Sequence, residues 1–352
     1  MKTLFSPFDM KDLQLRNRIV MSPMVTNSAN EDGTVSDWHM VHYVSRAIGG
    51  VGLVMIEASP VESRGRLFRK DIGIWSDNHI ERLTKLANQV HQAGAKIGIQ
   101  LFHSGRKGRV KTEEIVAPSA IPFNEKSRTP KELTKDEIKE IIQAYQDGAK
   151  RALKAGMDVI EIHAAHGYLV NEFLSPLTNK REDEYGGSFE NRLKFLVEII
   201  RSVKEVWPAT KPLFVRISAE EYHEDGLHVD DYVEIAKILK KEGVDLIDCS
   251  AGGVLPIRPP HIGPGYQVPY AEKIRREAEI ATSAVGLLYE PALADEIIRN
   301  ERADLIFLGR SLLYNPYWAL DASRRLGAEI DYWPLQYTQA KENLAGYFLY
   351  RE

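Results

Sequence analysis

Two imidazoles and a phenol stand within six residues in His163-Ala164-Ala165-His166-Gly167-Tyr168. Histidine can donate a hydrogen bond near neutral pH and tyrosine can surrender a proton. The spacing therefore suits stabilising charge on a substrate oxygen while protonating a nearby carbon. H-x-x-H is also a metal-ligand spacing, for which Glu161 or Glu172 would have to supply a third donor. The plainest alternative is that both histidines merely satisfy loop hydrogen bonds. Arg216 sits among Phe214, Val215 and Ile217, where a guanidinium is costly unless an anion or an electron-rich ring meets it. Gln100 lies near the end of a further apolar run. Gly286, and Gly309 followed by Arg310, offer bare backbone N–H groups and one cation suited to a phosphate, or else two ordinary tight turns. No run ends in a lysine placed for a Schiff base, and neither a G-x-S-x-G elbow nor a Walker loop occurs. Aldolase, hydrolase and kinase chemistry lose support accordingly. A phosphate-bearing cofactor surrounded by polar donors is what remains.

Those residues need elements to hold them. Eight short β-branched or apolar runs recur: Ile19–Met24, Gly52–Ser59, Lys96–Phe102, Val159–His163, Leu213–Ser218, Leu246–Ser250, Ala281–Val285 and Leu305–Leu308. Amphipathic helical segments separate them, such as Leu193, Leu196, Val197, Ile200 and Val203 on one face. Ser188 before Phe189 reads as an N-cap, and Gly94, Gly156 and Gly243 as the left-handed residues that stop helices. Strand–helix alternation predicts a parallel sheet, and eight units predict a single (β/α)8 TIM barrel over residues 1–352. Extended loops follow its third and fourth strands, and residues 331–352 form a C-terminal tail. A doubly wound sheet is the runner-up, but no strand-plus-GxGxxG-plus-helix unit appears. The His163–Tyr168 run falls at the carboxyl end of the fourth strand, the face where barrels place active sites.

Composition narrows the partners. With 46 basic and 50 acidic residues in 352, the net charge is −4, and no long basic run offers a footprint for nucleic acid or an anionic membrane. No apolar run approaches a bilayer span and the N-terminus has no signal-peptide pattern, so the expected location is cytoplasmic. The single cysteine, Cys249, excludes an intrachain disulfide and a cysteine-ligated iron–sulfur cluster. Redox chemistry here would need a borrowed cofactor.

One resemblance covers nearly the whole chain. His163-Ala164-Ala165-His166-Gly167-Tyr168-Leu169, then Phe173-Leu174-Ser175-Pro176, Asn179, Arg181, Asp183, Tyr185-Gly186-Gly187-Ser188 and Asn191-Arg192, resembles the signature of the Old Yellow Enzyme family of flavin-dependent ene-reductases. Arg16–Val20 with Ser22-Pro23-Met24, Gly73-Ile74-Trp75, Gln100 with His103–Arg106, Ala117-Pro118-Ser119 and Leu308-Gly309-Arg310 extend the match. Within the family the chain is similar to the shorter, thermophilic-like branch. The resemblance implies non-covalent FMN, with NADPH or NADH as reductant and an electrophilic alkene as acceptor. Carried over by position, Ser22, Pro23, Met24, Val25 and Ala58 line the isoalloxazine, and Gln100 meets its pyrimidine edge. Arg216 stands near N1 and O2. Gly252 and Gly286 follow the ribityl path, and Gly309 and Arg310 hold the phosphate. His163 and His166 bind the acceptor oxygen, and Tyr168 protonates its α-carbon. A homo-oligomer, dimer or tetramer, is implied as well.

Two positions depart from that branch. Val25 replaces its usual cysteine, and Asn27 replaces its usual substrate-contacting tyrosine. The tail departs as well: Gln336-Tyr337 leads into Thr338-Gln339 and Ala340–Glu352, and Arg351 is too displaced to be assigned the role of the arginine that reaches a neighbouring subunit's site in the branch. The departures keep open a flavin-binding protein with little turnover, and the histidine spacing keeps open a metal-dependent barrel hydrolase.

Overall fold

The computed structural model describes residues 1–341. The chain opens with a hairpin, β1 (Phe8–Met10) and β2 (Leu13–Leu15). It then lays down β3 (Ile19–Met21), β4 (Leu53–Pro60) and β5 (Lys96–Phe102). A two-residue parallel pair, β6 (Val116–Ala117) and β7 (Lys131–Glu132), pins the long loop that follows. Next come β8 (Val159–Ala164), β9 (Leu213–Ser218), β10 (Leu246–Ser250), β11 (Ala281–Ala284) and β12 (Leu305–Leu308). Strands β3, β4, β5 and β8 to β12 pair in parallel in that order, and β12 returns to β3 to close an eight-stranded barrel. This is the expected (β/α)8 barrel, with all eight runs as its strands.

The helices between strands bury their apolar stripes on the barrel's outside. In the helix Phe189–Lys204, Leu193, Leu196, Ile200 and Val203 are buried, and the Ser188 hydroxyl accepts the Asn191 N–H at 3.2 Å as the N-cap. Ahead of the helix Lys135–Lys154, Thr134 and Glu137 close a reciprocal capping box. Gly94, Gly156 and Gly243 all take positive φ after their helices.

Inside the barrel, side chains alternate by layer. Toward the amino ends, Val20, Leu53, Met55, Val159, Phe214, Leu246 and Leu305 form one apolar cluster, and Phe8, Leu13 and Leu15 of the hairpin cap it. The hairpin lies outside the eight expected runs; its three-residue strands are too short to show a period. Further along, the inward positions turn polar. Gln100 pairs with Glu161 across β5 and β8, Arg216 with Asp248 across β9 and β10, and Asp248 with Ser283 across β10 and β11. Among the described residues, no helix is long and apolar enough to cross a membrane.

Candidate active site

The polar layer forms the floor of the open end. Gln100 Nε2 donates to Glu161 Oε1 at 2.7 Å, and the Ser283 hydroxyl donates to Asp248 Oδ1 at 2.7 Å. Arg216 Nε lies 3.0 Å from Asp248 Oδ2, yet neither atom has an aligned hydrogen-bond partner. Burial holds the Asp248 and Glu161 carboxyls above the usual carboxylate range; Asp248 raises Glu161 further, while Arg216 opposes both shifts. Arg216 therefore has a protein neighbour that the sequence reading did not name. Asp248 was legible only as an acid inside an apolar strand.

Where β8 ends, His166 adopts φ +60° and Gly167 φ +65°. The turn is forced by contact. A Cβ on Gly167 would fall 2.3 Å from the Gly253 carbonyl oxygen, so two backbones meet there and only glycine fits. The half-buried Lys107 clamps the junction, its Nζ donating to the carbonyls of His166 (2.7 Å) and Gly253. Burial brings that ammonium down to about 8.

The turn aligns a one-way chain of hydrogen bonds. The Ala165 N–H donates to His163 Nδ1 at 3.2 Å, so His163 carries its proton on Nε2, which lies 3.3 Å from His166 Nδ1. His166 Nε2 is 2.7 Å from the Ser250 hydroxyl, which donates to Gln267 Oε1 at 3.2 Å. Every link is consistent with two neutral imidazoles. Desolvation holds both histidines well below their ordinary pKa, assisted by the positive charge of Arg216 and Lys107. Tyr168 stands edge-on to His163 with centroids 5.0 Å apart, and burial pushes its phenol up, which keeps the proton on it.

The candidate residues fall into two neighbouring groups that the histidines join. On one side, Arg216, Ser250, Gly286, Gly309 and Arg310 line a cavity of 410 Å³. On the other, Val25 and Ala58 pack with Leu67, Phe102 and Tyr168 in a small apolar cluster. His166 reaches the first group through Ser250, and His163 touches the second through Tyr168 and Phe102. Ser22, the residue after β3, has a buried hydroxyl without a partner; Pro23 is buried beside it, and Met24 packs near Gly309. Two candidates stand apart. Gly252 does not line the cavity; its carbonyl accepts the Ser218 hydroxyl at 2.7 Å. Asn27 is exposed at φ +51°, and its side-chain oxygen accepts the Lys70 N–H at 3.1 Å.

The suggested metal ligands disperse. Glu161 turns to Gln100 and Glu172 accepts the Arg106 N–H at 2.9 Å, and no group of three His, Cys, Asp or Glu among the described residues is arranged for a metal ion. Sequence reasoning missed Glu57, which anchors the loop after β3. Its carboxylate accepts from the Thr26 N–H (3.1 Å), the Thr26 hydroxyl (2.8 Å) and the Tyr43 hydroxyl (2.9 Å). An acid in an otherwise apolar strand was the available signal.

An orphaned serine hydroxyl, an incompletely paired arginine and a glycine-lined cavity at the carboxyl face of a parallel barrel are features that suit a phosphate-bearing ring cofactor. The class defined by this fold and site is the flavin-dependent barrel oxidoreductases. The family model described as "NADH:flavin oxidoreductase / NADH oxidase family" matches residues 3–329, and the chain belongs to that family, the Old Yellow Enzymes. It is 59% identical over 328 residues to an NADPH dehydrogenase of Geobacillus sp. (strain WCH70), covering 93% of this chain and 95% of that one. Morphinone reductase solved with tetrahydroNAD superposes with a TM-score of 0.79 at 27% identity, over 94% of this chain and 92% of that one. A 2-naphthoyl-CoA reductase complex gives a TM-score of 0.87 at 26% identity over 92% of this chain, which spans about half (52%) of that longer protein. The chain is an oxidoreductase whose cofactor is FMN and whose reductant is NAD(P)H.

Proposed function

We propose that this enzyme reduces the activated C=C bond of α,β-unsaturated carbonyl or nitro compounds. The observation that carries the reading is the neutral His163–His166 pair beside a protonated Tyr168, at the join between the cavity and the apolar cluster. Bound FMN supplies the redox chemistry, accepting hydride from NAD(P)H and giving it to the alkene. The residues that would hold it are Ser22, Pro23, Met24, Val25 and Ala58 along the ring, Gln100 and Arg216 at its polar edge, and Gly286, Gly309 and Arg310 toward the phosphate.

His163 Nε2–H is the mobile donor, because its present acceptor is a long 3.3 Å away and can be replaced by a substrate oxygen. His166 becomes the second donor if the Ser250 hydroxyl reverses and donates to Nε2, which leaves the proton on Nδ1. Two donors on one oxygen draw charge toward it as the β-carbon is reduced; removing one such donor costs about 3 kcal/mol in comparable sites. Tyr168 then protonates the α-carbon, and its raised pKa keeps the phenol loaded for that step.

Anaerobic half-reactions test the assignment. Tyr168→Phe should slow alkene reduction by about 10²-fold or more, the usual scale of general-acid catalysis, and leave reduction of the flavin by NADPH unchanged. Equal slowing of both halves would sink the role. His163→Ala should weaken enone or phenol ligands by roughly tenfold to a hundredfold with FMN retained. A homo-oligomer is also proposed, supported by the exposed apolar side chains of Leu313, Tyr314 and Leu335. Sedimentation as a monomer would exclude it.

A further inference from the structure

Beside Tyr168 opens a groove of 560 Å³ that the chemistry above does not use. Six cations line it, Arg106, Lys107, Arg109, Lys111, Lys126 and Arg128, and no carboxylate does. Among the described residues none of the six forms an ion pair, although most basic residues of this chain do so somewhere. Arg106, Lys107 and Arg128 donate to backbone carbonyls, and Arg109 lies over the Phe68 ring. Glu172, the acid that acts on Arg106 and Lys107, is buried with its carboxyl raised to about 8, so it neutralises little of this charge near pH 7. A chain of net charge −4 that gathers six uncompensated cations at the mouth of its site sets up a local field for an anion.

We propose that this groove binds the phosphate groups of a ligand whose reacting end reaches the His163–Tyr168 site. The inference rests on the reading of that site given above. Lys107 anchors the inner end: it holds the His166–Gly253 junction and lies 5.3 Å from the centre of the Tyr168 ring. Arg109, Lys111 and Lys126 are exposed along the outer part, where a phosphate keeps some hydration and pays little desolvation. Phosphate can enter on the reductant, as the 2′-phosphate of NADPH or the pyrophosphate of either nucleotide, or on a phosphorylated acceptor.

The test uses the FMN-loaded enzyme with Arg109→Ser and Lys111→Ser combined, two exposed loop positions. Rapid-mixing flavin reduction is measured with NADPH and with NADH, and ligand-induced flavin spectra with a phosphate-bearing enone and its phosphate-free analogue. Losing two charge-assisted contacts should weaken the phosphate-bearing ligand roughly tenfold or more. Added salt should shrink the difference between wild type and variant. A loss confined to NADPH assigns the 2′-phosphate, an equal loss for both nucleotides assigns the pyrophosphate, and a loss confined to the phosphorylated enone assigns the acceptor. Four unchanged ligands, with inorganic pyrophosphate failing to compete, overturn the proposal. Flavin bleached by NADPH without any alkene being reduced would instead defeat the ene-reduction reading and leave the groove measurement standing.

Discussion

The two ends of the barrel are built from the same eight strands, yet they solve opposite problems. At the amino end, Phe8, Leu13 and Leu15 close over Val20, Phe214, Leu246 and Leu305, and every one of these side chains is buried and apolar. At the carboxyl end, Ser22, Glu161, Arg216 and Asp248 keep buried polar atoms without hydrogen-bond partners. Of the seven non-glycine residues with positive φ among the described residues, four, Asn27, His166, Tyr222 and Leu287, also lie in loops at that end. Strain and unsatisfied polarity are tolerated where a ligand repays them, and the sealed end supplies the stability that makes this possible.

The largest effect should come from opening the sealed end. Phe214→Ala removes a fully buried ring and should cost about 3–5 kcal/mol of stability, read as a fall in unfolding midpoint. The variant that still folds should keep wild-type flavin spectra and half-reaction rates. Altered chemistry with unchanged stability would erase the division between the two ends.

At the open end, Arg216→Met should weaken FMN and lower its potential, because a cation near the reduced ring is lost. The expected loss is about 1.5–3 kcal/mol of binding. Asp248 bears on the same measurement: removing Arg216 removes the charge that opposes the upward shift of its buried carboxyl, so that carboxyl is pushed further above the usual carboxylate range. An unchanged potential would reduce Arg216 to a partner of Asp248 alone.

Acid should report the open end as well. His163 and His166 are held neutral, well below the ordinary imidazole value near 6.5. Below pH 6.5 the unfolded chain takes up protons that the folded chain refuses, so the stability present above that pH is lost as pH falls, by up to about 1.4 kcal/mol per unit for each group. Replacing both by glutamine should flatten that slope in urea-melt series between pH 6.5 and 5. A parallel decline in wild type and variant would mean that the pair is charged in the fold.

The smallest effect is expected at Asn27. Asn27→Tyr adds an aromatic surface worth about 1 kcal/mol to flat ligands, so it should favour small cyclic enones over bulky ones. Asn27 is exposed and tied to Lys70, so an equal response to both substrate sizes would place it outside the substrate's reach.

The barrel was legible because its information is local. Each strand announces itself by a short β-branched run, each helix by its 3.6-residue stripe, and Ser188, Gly94, Gly156 and Gly243 punctuate them as expected. The His163–Tyr168 run was legible for the same reason, since one turn of backbone presents all three side chains. The strands of the β1–β2 hairpin escaped notice, being three residues long, and so did the Glu57 anchor, whose partners Thr26 and Tyr43 come from separate segments.

What the sequence alone determined is the number of barrel strands, the order of the barrel's elements and the residue types at the strand ends, because these follow from periodicity and steric preference within a few residues. Tertiary structure decided which distant groups meet: Arg216 with Asp248, His166 with Ser250, and Lys107 with Gly253. It also gathered into one groove six cations that the sequence spreads from 106 to 128 between acids such as Glu113 and Glu125, which do not line it. Electrostatic energy depends on distance through space, so a balanced charge along the chain says nothing of the field at one mouth of the fold.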